Sequence, residues 1–144
     1  MESLERPDEH QVVKEGVGDV NSNVVGSGAR YNKGKVRYDL IPTHLLESTA
    51  NVFEYGAKKY AAWNWIKGMK YSVVIGCLKR HLAAIERGED YDSESGQRHV
   101  GHLMCNLLML EQYMNMCERD PELKASLDDR PSEWFAYLNN DDGK

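Results

Sequence analysis

The spacing of apolar residues limits the fold of this chain more than any other feature. Three long segments carry apolar side chains three or four residues apart, which places them along one face of an α-helix. Beyond residue 29 the chain has no sustained alternation of apolar and polar residues, and no Asn-Gly or Asp-Gly turn joins two such runs. The sequence therefore predicts an all-α fold, a small bundle of three long helices with a short C-terminal helix.

The bounds of the three long helices follow from the residues that stop them. The first helix is predicted from Thr43 to about Lys59, the second from about Ser72 to Arg87, and the third from about Arg98 to Glu118. Gly88 follows the second helix, where glycine readily takes the left-handed conformation that ends a helix. Pro121 follows the third helix, and the residue before a proline disfavours the helical conformation.

The two ends of the chain are predicted to be less regular than its centre. Residues 1–29 are polar and interrupted by glycines, so we interpret them as a flexible or loosely docked arm. Pro131 favours the first turn of a short fourth helix, predicted over residues 131–138. The expected organisation is an arm, one helical domain over residues 30–138, and a frayed tail over residues 139–144.

The net charge of −5 conceals a strong segregation of charge along the chain. Residues 30–88 carry eleven Lys and Arg against four acids, whereas the segments on both sides are acidic. A basic centre of this kind is typical of a protein that captures a compact anion rather than one that coats a nucleic acid. The alternative is that the three segments neutralise each other on the folded surface.

The cysteines and the hydropathy of the chain indicate a cytoplasmic protein. Cys77, Cys105 and Cys117 lie in apolar stretches without a C-x-x-C pair, which argues against a disulfide scaffold or a zinc knuckle. No apolar run reaches the roughly 18 residues that a membrane span requires, and the polar N-terminus lacks the apolar core of a signal peptide. We therefore expect buried thiols in a reducing cytoplasm.

The cations and aromatic residues of the central segment suit an anionic ligand that contains a ring system. Around Gly34, backbone N–H groups can approach an anion that neighbouring cations neutralise, although the spacing of a P-loop is absent. Asn64 and Trp65 follow the first helix, and in a loop an indole can stack on a base while an amide reads its edge; core packing is the alternative. The predicted substrate-binding residues are Lys33, Lys35, Arg37, Lys58, Lys59, Tyr60, Asn64, Trp65 and Arg80.

Acids and histidines cluster around the loop that joins the second and third predicted helices. Residues 86–92 include four acids, which suit Mg²⁺ or Mn²⁺ bound together with a phosphate, the alternative being an exposed acidic turn. His99 and His102 share a helix face, where imidazoles either bind a metal or form hydrogen bonds near phosphates. The predicted metal ligands are Glu54, Glu89, Asp92, His99 and His102, and the predicted catalytic residues are Glu89, Asp92 and His81.

Taken in chain order, these motifs resemble the N-terminal domain of phage-associated dATP/dGTP diphosphohydrolases. The resemblance covers about residues 29–115. It implies a helical fold, removal of pyrophosphate from purine deoxynucleoside triphosphates, and a place in the host cytoplasm. The matching segments are Gly34–Pro42, Tyr55–Tyr60, Asn64-Trp65, Arg80-His81-Leu82, Gly88-Glu89-x-x-Asp92-x-Glu94-Ser95-Gly96 and His99-x-x-His102.

The same resemblance implies a distant kinship with all-α, MazG-type nucleotide pyrophosphohydrolases. Those enzymes hold Mg²⁺ with Glu-x-x-Glu on one helix and Glu-x-x-Asp on the next. In this chain Glu47 and Glu54 are seven residues apart, and Gly88 interrupts the acids of residues 86–92. The predicted ligand set therefore also draws on the histidines.

The combined prediction is hydrolysis of dGTP or dATP to monophosphate and pyrophosphate, with Mg²⁺ or Mn²⁺ as cofactor. The alternative is a nucleotide-binding protein of phage origin that sequesters its ligand without turnover, and a third reading is an interaction module without a small ligand. The third helix is apolar on more than one face, which favours a homo-oligomer. Neither membrane association nor stable nucleic-acid binding is expected.

Overall fold

The structure is a computed structural model that describes Gly18, residues 21–31 and residues 33–131. The chain divides into two compact units between Ile41 and Pro42. The predicted flexible arm falls largely outside the described residues. All the α-helices of the described residues belong to the second unit, which is also where the candidate site lies.

The first unit contains the basic segment predicted to bind phosphate. Arg37 donates from Nε to Oδ1 of Asp39 at 2.7 Å and also pairs through its Nη2 atom. This pairing raises the pKa of Arg37 through the hydrogen bond and the charge of Asp39. Lys33 and Lys35 are exposed on the same segment, ahead of a 3₁₀ turn at Tyr38–Leu40. Their role in binding phosphate stays a prediction.

The three long helices lie close to their predicted bounds. Helix α1 is Glu47–Lys59, and a 3₁₀ turn at Thr43–Leu46 precedes it, so the predicted start is confirmed with a tighter first turn. Helix α2 is Tyr71–Glu86 and helix α3 is His99–Arg119. The predicted stop after α2 is confirmed, because Gly88 has a φ of 84°, a left-handed conformation that glycine adopts without strain.

A further short helix follows α3, ahead of the segment where the sequence predicts the C-terminal helix. Helix α4 is Pro121–Leu127, and the carboxylate of Asp120 caps it by accepting hydrogen bonds from the backbone N–H groups of Glu122 and Leu123. Asp120-Pro121 therefore ends α3 and also starts α4, since proline suits the first position of a helix. The helix predicted over residues 131–138 lies outside the described residues, apart from Pro131.

The described residues form helices, turns and no β-strand, which confirms the all-α fold. Their closest approach to a sheet is an isolated antiparallel bridge between Tyr91 and Arg98. In the part of the chain that the structure describes, no helix combines the length and the apolar character needed to cross a membrane.

The main core lies where the start of α2 meets the end of α3 and α4. Tyr113 has no exposed surface, and its hydroxyl donates to the carbonyl oxygen of Trp65. Burial of one large apolar side chain contributes roughly 1.5–3 kcal/mol, so this group fixes how α2, α3 and α4 pack. The core residues are Tyr71, Val74, Tyr113, Cys117 and Leu127.

A small residue allows α1 to approach the first turns of α3. Gly101 is buried, and a Cβ atom added to it would lie 2.5 Å from the carbonyl oxygen of Ser48. Because any larger side chain would clash with the α1 backbone there, glycine sets the spacing of these two helices. The contact lies between His99 and His102 in sequence, so α1 is packed beside the histidine-bearing turns.

Candidate functional site

The loop between α2 and α3 folds back on itself and carries acidic residues to the start of α3. The backbone N–H of Asp92 donates to the carbonyl of Gln97 at 2.8 Å, and the N–H of Gly96 donates back to the carbonyl of Asp92 at 2.8 Å. The N–H of His99 donates to the carbonyl of Asp90 at 2.9 Å. These bonds fix Asp92 beside the first turn of α3.

Three histidines meet where α2 ends and α3 begins. The Nδ1 atoms of His81 and His99 are 2.8 Å apart, the distance of a hydrogen bond in which one ring donates to the other. The ring of His81 also stacks on that of His102, with centroids 4.2 Å apart and planes inclined by 12°. His99 is only 5% exposed, so this group of rings is largely shielded from water.

A hydroxyl joins the histidines to the acidic loop. Asp92 Oδ2 accepts two hydrogen bonds from Ser95, one from the backbone N–H at 2.8 Å and one from Oγ at 2.7 Å. Ser95 Oγ also lies 2.7 Å from Nε2 of His102. The distance from His102 Nε2 to Asp92 Oδ2 is longer, 3.8 Å, so Ser95 mediates between them.

The electrostatics of the cluster favour the charged form of Asp92 and the neutral forms of His81 and His102. Burial lowers the pKa of His81, and the neighbouring His102 and His99 lower it further. Burial also lowers the pKa of His102, against the opposing effect of Asp92. Burial acts to raise the pKa of Asp92, but the hydrogen bonds from Ser95 and the nearby His102 outweigh it and leave that pKa below its usual value. Neutral rings and a charged carboxylate are the forms that bind metal ions.

Two imidazoles and one carboxylate are close enough to share a single ion. One ligand atom from each of His81, Asp92 and His99 lies within 4.8 Å of the other two, and this is the only such group in the described part of the chain. Two nitrogens that each lie about 2.1 Å from an ion, at right angles, are about 3.0 Å apart. The His81–His99 separation of 2.8 Å is close to that value, so the donor set fits a metal once the proton shared by the two Nδ1 atoms has moved to an Nε2 atom or to solvent.

An ion pair ties the end of α1 to the same loop. Lys59 Nζ lies 2.6 Å from Oε1 of Glu94, and the hydroxyl of Tyr55 donates to the same oxygen at 3.3 Å. The hydrogen bond to Glu94 raises the pKa of Lys59, and that from Lys59 lowers the pKa of Glu94. Lys59 Nζ also lies 5.6 Å from the ring centroid of Tyr60. The predicted Lys59 and Tyr60 are thus next to the loop that carries Asp92.

The other predicted acids lie in local ion pairs on the surface. Glu54 pairs with Lys58 one helical turn later at 3.0 Å. Glu89 accepts from Nε of Arg87 at 2.8 Å, and that hydrogen bond lowers the pKa of Glu89, with a smaller effect from His99. The structure therefore does not bring Glu54 into the ligand group, while Glu89 lies within electrostatic range of it.

Arg80 and the aromatic loop complete the predicted residues of the second unit. Arg80 is exposed on α2, and its charge contributes to the lowered pKa of His81. Trp65 packs against the core and lies 6.5 Å from the ring of Tyr113, whereas Trp63 is 69% exposed. Asn64 accepts a hydrogen bond from Lys67 at 3.2 Å. Of the two tryptophans, Trp63 therefore offers the free surface.

Sequence reasoning left three residues of this region out of the predicted site. Ser95, Glu94 and Tyr55 each contact a predicted residue, yet a serine, an exposed acid and a helical tyrosine carry no spacing signal of their own. Trp63 has a left-handed φ of 63°, which is rare for a bulky residue and is not visible in the sequence. Their positions became apparent only once the loop was folded.

The fold and the cluster together define a class of protein, a small all-α domain with a polar His–Asp centre at one end of a helix pair. The family model for the dATP/dGTP diphosphohydrolase N-terminal domain matches residues 25–123, more than half of the chain. The chain therefore belongs to the dATP/dGTP diphosphohydrolase N-terminal domain family, as its motifs predict.

A curated relative agrees with this family. A dATP/dGTP diphosphohydrolase of Salmonella phage PMBT28 is 30% identical to this chain over 89 residues. The aligned region is 62% of this chain and 30% of the relative, so the chain spans less than a third of that protein's length. No solved structure matches the chain.

Proposed function

We propose that this chain hydrolyses purine deoxynucleoside triphosphates, dGTP or dATP, to the monophosphate and pyrophosphate. The observation that carries the proposal is the preformed group of His81, Asp92 and His99, in a chain that belongs to this family. The relative in Salmonella phage PMBT28 bears the name dATP/dGTP diphosphohydrolase, which supports a nucleotide as the substrate. Reaction and substrate are proposals for this chain.

His81, Asp92 and His99 are the residues we propose as ligands of a divalent ion. When bound there, the ion would neutralise phosphate charge and lower the pKa of a bound water. Mg²⁺ prefers oxygen ligands, whereas a mixed set of imidazoles and carboxylate suits Mn²⁺ or a related metal. The donor set therefore favours Mn²⁺ over the Mg²⁺ that the acidic loop suggests by sequence.

Cations near the cluster would hold the phosphate oxygens that the ion does not. Among the predicted phosphate ligands of the second unit, Lys59 pairs with Glu94 of the loop, and the charge of Arg80 acts on His81 of the cluster. Lys59 would exchange its partner Glu94 for a phosphate, which is feasible because this pair is on the surface. Lys33, Lys35 and Arg37 of the first unit keep their predicted role as phosphate ligands.

A carboxylate outside the ligand group would take the proton from the attacking water. Glu89 fits this role, because it is charged, exposed, and close enough to His99 for their charges to interact. Asp92 and His81, predicted as catalytic from the sequence, would act as ligands and orient the reacting groups instead. General base catalysis by a carboxylate requires only that it reach the water directly or through one more water.

The exposed ring of Trp63 would stack on the purine. A bulky residue in the left-handed region costs roughly 1–3 kcal/mol, and such strain persists where the surrounding structure requires it. Stacking of a base on an aromatic ring contributes about 1–3 kcal/mol. Replacement of Trp63 by Ala should therefore raise KM for dGTP by about tenfold or more, while Trp63→Phe should retain most of the affinity.

The test is incubation of the full chain with dGTP or dATP and either Mn²⁺ or Mg²⁺, followed by anion-exchange chromatography. We expect dGMP or dAMP with an equal amount of pyrophosphate. The Asp92→Asn variant should lose the activity, and Glu118→Gln, which removes an exposed acid from α3, should keep it. Intact nucleotide with every metal would refute hydrolysis by this chain.

A second candidate is a protein that binds the nucleotide without turnover. Most of the length of the Salmonella phage relative lies outside the match, which leaves room there for catalytic residues that this chain does not share. Calorimetry would then show stoichiometric binding of dGTP, and the recovered ligand would be unchanged. Such binding should still weaken in the Trp63→Ala variant.

A further inference from the structure

We infer that Ser95 is a positioning residue, whose hydroxyl fixes the carboxylate of Asp92 and the tautomer of His102 and so presets the ligand group. Nothing in its sequence context marks it as such. The link to a metal rests on the proposed function, whereas the effect on the tautomer is a property of the protein alone. The inference stands on three short contacts of Ser95, at 2.7, 2.7 and 2.8 Å.

The hydroxyl of Ser95 has one proton and two close neighbours that could accept it. The backbone N–H of Ser95 already donates to Oδ2 of Asp92, which marks that oxygen as an acceptor, so the contact at 2.7 Å requires the hydroxyl to donate to Asp92 as well. The contact between Ser95 Oγ and His102 Nε2, also 2.7 Å, must then be donated by the ring. Neutral His102 therefore carries its proton on Nε2.

The fixed tautomer also holds the ring that supports a ligand. His102 is anchored at its Nε2 end by Ser95, and its ring face lies against that of His81 at 4.2 Å. His81 in turn directs Nδ1 toward Nδ1 of His99. Ser95 thus acts on the two imidazole ligands through His102. His102 itself supports these ligands and is not one of the three proposed ligands.

The same residue restrains the carboxylate. Both hydrogen bonds from Ser95 go to Oδ2 of Asp92, and together they fix the orientation of the carboxylate. Partners of this kind, which bind a metal ligand rather than the metal, orient the ligand and typically contribute 10- to 100-fold to metal affinity. The Ser95 hydroxyl is therefore expected to matter even though it touches no substrate.

The loop retains its other bonds when the hydroxyl is removed, which makes the inference testable. In Ser95→Ala the backbone N–H still donates to Asp92, and the bonds that join Asp92 to Gly96 and Gln97 are between backbone atoms. A weaker contact from the N–H of Gln97 to the hydroxyl, at 3.2 Å, is lost as well. Ser95→Thr keeps a hydroxyl, and Ser93→Ala removes an exposed one from the same loop as a matched control.

The first measurement needs no metal. Long-range ¹H–¹⁵N correlation spectra of the chelated full chain report which ring nitrogen of each histidine is protonated, with His102 assigned from the His102→Gln variant. We expect His102 as the Nε2–H tautomer in the wild type, Ser95→Thr and Ser93→Ala, and a mixture of tautomers in Ser95→Ala. If His102 has the same tautomer in Ser95→Ala as in the wild type, the inference is wrong.

The second measurement is calorimetric titration of the same proteins with Mn²⁺. Ser95→Ala should bind about 10- to 100-fold more weakly than the wild type, Ser95→Thr should recover most of that loss, and Ser93→Ala should not differ. Equal affinities in the wild type and Ser95→Ala would refute the positioning role. A wild type that binds no Mn²⁺ would refute the proposed metal centre instead, and the tautomer spectra would then decide the role of Ser95.

Discussion

The two ends of the α2–α3 helix pair are built from opposite kinds of side chain. At one end, Tyr71 and Val74 of α2 pack with Tyr113 and Cys117 of α3, and all four are buried. At the other end, His81 of α2 lies against the histidines of α3, beside the charged Asp92 loop. The same two helices thus carry an apolar core and a polar cluster within a few turns of each other.

The difference shows which end of the helix pair contributes most to stability, and it places the proposed site at the other end. Burial of apolar surface is the main source of stability, whereas burial of a polar group costs free energy unless it is hydrogen-bonded. The polar end meets that condition through the contacts of His81 with His99 and of Ser95 with Asp92. Apolar residues there would be expected to stabilise the pair, so the fold alone does not require the histidines.

The largest effect on stability should come from the apolar end. Tyr113→Ala removes a fully buried ring and its hydrogen bond to the carbonyl of Trp65, and we expect a loss of about 3–5 kcal/mol in the free energy of unfolding. Urea denaturation followed by circular dichroism measures it. Tyr113→Phe removes only the hydroxyl and should cost about 1 kcal/mol. A small loss for Tyr113→Ala would mean that the core lies elsewhere.

At the polar end, a substitution should weaken metal binding strongly and change the free energy of unfolding little. His99→Gln removes a proposed ligand, and we expect Mn²⁺ affinity to fall by at least about 100-fold while the free energy of unfolding changes little or rises. Titration calorimetry and urea denaturation of the same samples test both parts. The comparison would fail if His99→Gln unfolded the protein as Tyr113→Ala does.

The contact between α1 and α3 should have an intermediate effect on stability, and Gly76 of α2 provides a matched control for it. A Cβ at Gly101 would lie 2.5 Å from the backbone of Ser48, so Gly101→Ala should cost about 1–3 kcal/mol. At Gly76 of α2 the nearest atom is the mobile end of Arg80, 3.4 Å away. Gly76→Ala should therefore be neutral or stabilise the helix by up to about 1 kcal/mol. Equal effects of the two substitutions in thermal melts would contradict the close approach.

The polar end should also make stability depend on pH. Burial keeps the pKa values of His81 and His102 below the value of about 6.5 that they have in the unfolded chain. Below about pH 6.5 the unfolded state binds more protons, so stability falls as the pH drops from about 6.5 toward the lower folded-state pKa values, and these groups do not affect stability well above pH 6.5. Urea denaturation with a chelator present, between about pH 7.5 and 5.5, measures the slope. A double variant with Gln at both positions should show a weaker dependence of the free energy of unfolding on pH. An unchanged dependence would mean that other groups cause it.

The smallest effect on stability is expected at the surface pair of Lys59 and Glu94. Both side chains are largely exposed, so Lys59→Ala should leave the Tm almost unchanged. If Lys59 binds phosphate, the same variant should raise KM for dGTP, and Lys124→Ala, which removes an exposed lysine from α4, serves as the comparison. A large drop in Tm would mean that this pair holds the loop in place.

The helices could be predicted from the sequence because apolar spacing and stop residues act locally. The bounds of α2 and α3 follow from Gly88 and Pro121 in this way. Helix α4 was not predicted, because Asp120-Pro121 signals both the end of one helix and the capped start of the next. The helix predicted over residues 131–138 stays a prediction. The local pair of Glu54 with Lys58 is also implied by their spacing of four residues.

The site could be predicted only in part, because its geometry depends on how the loop folds. The histidine spacing predicts that His99 and His102 share a face, but not that Ser95 binds Nε2 of His102 and leaves the place beside His81 to His99. Which tryptophan is exposed depends on the left-handed backbone at Trp63. Contacts between residues far apart in the chain, such as Lys59 with Glu94, have no signature in a single sequence.

The most direct test of the account is anomalous diffraction from crystals of the full chain soaked with Mn²⁺ and a nonhydrolysable dGTP analogue. The account predicts one strong anomalous peak bonded to His81, Asp92 and His99, with the analogue's phosphates beside it. A peak bonded instead to Glu54 or other acids on the surface, with His81 still hydrogen-bonded to His99 and His102 still bonded to Ser95, would contradict it.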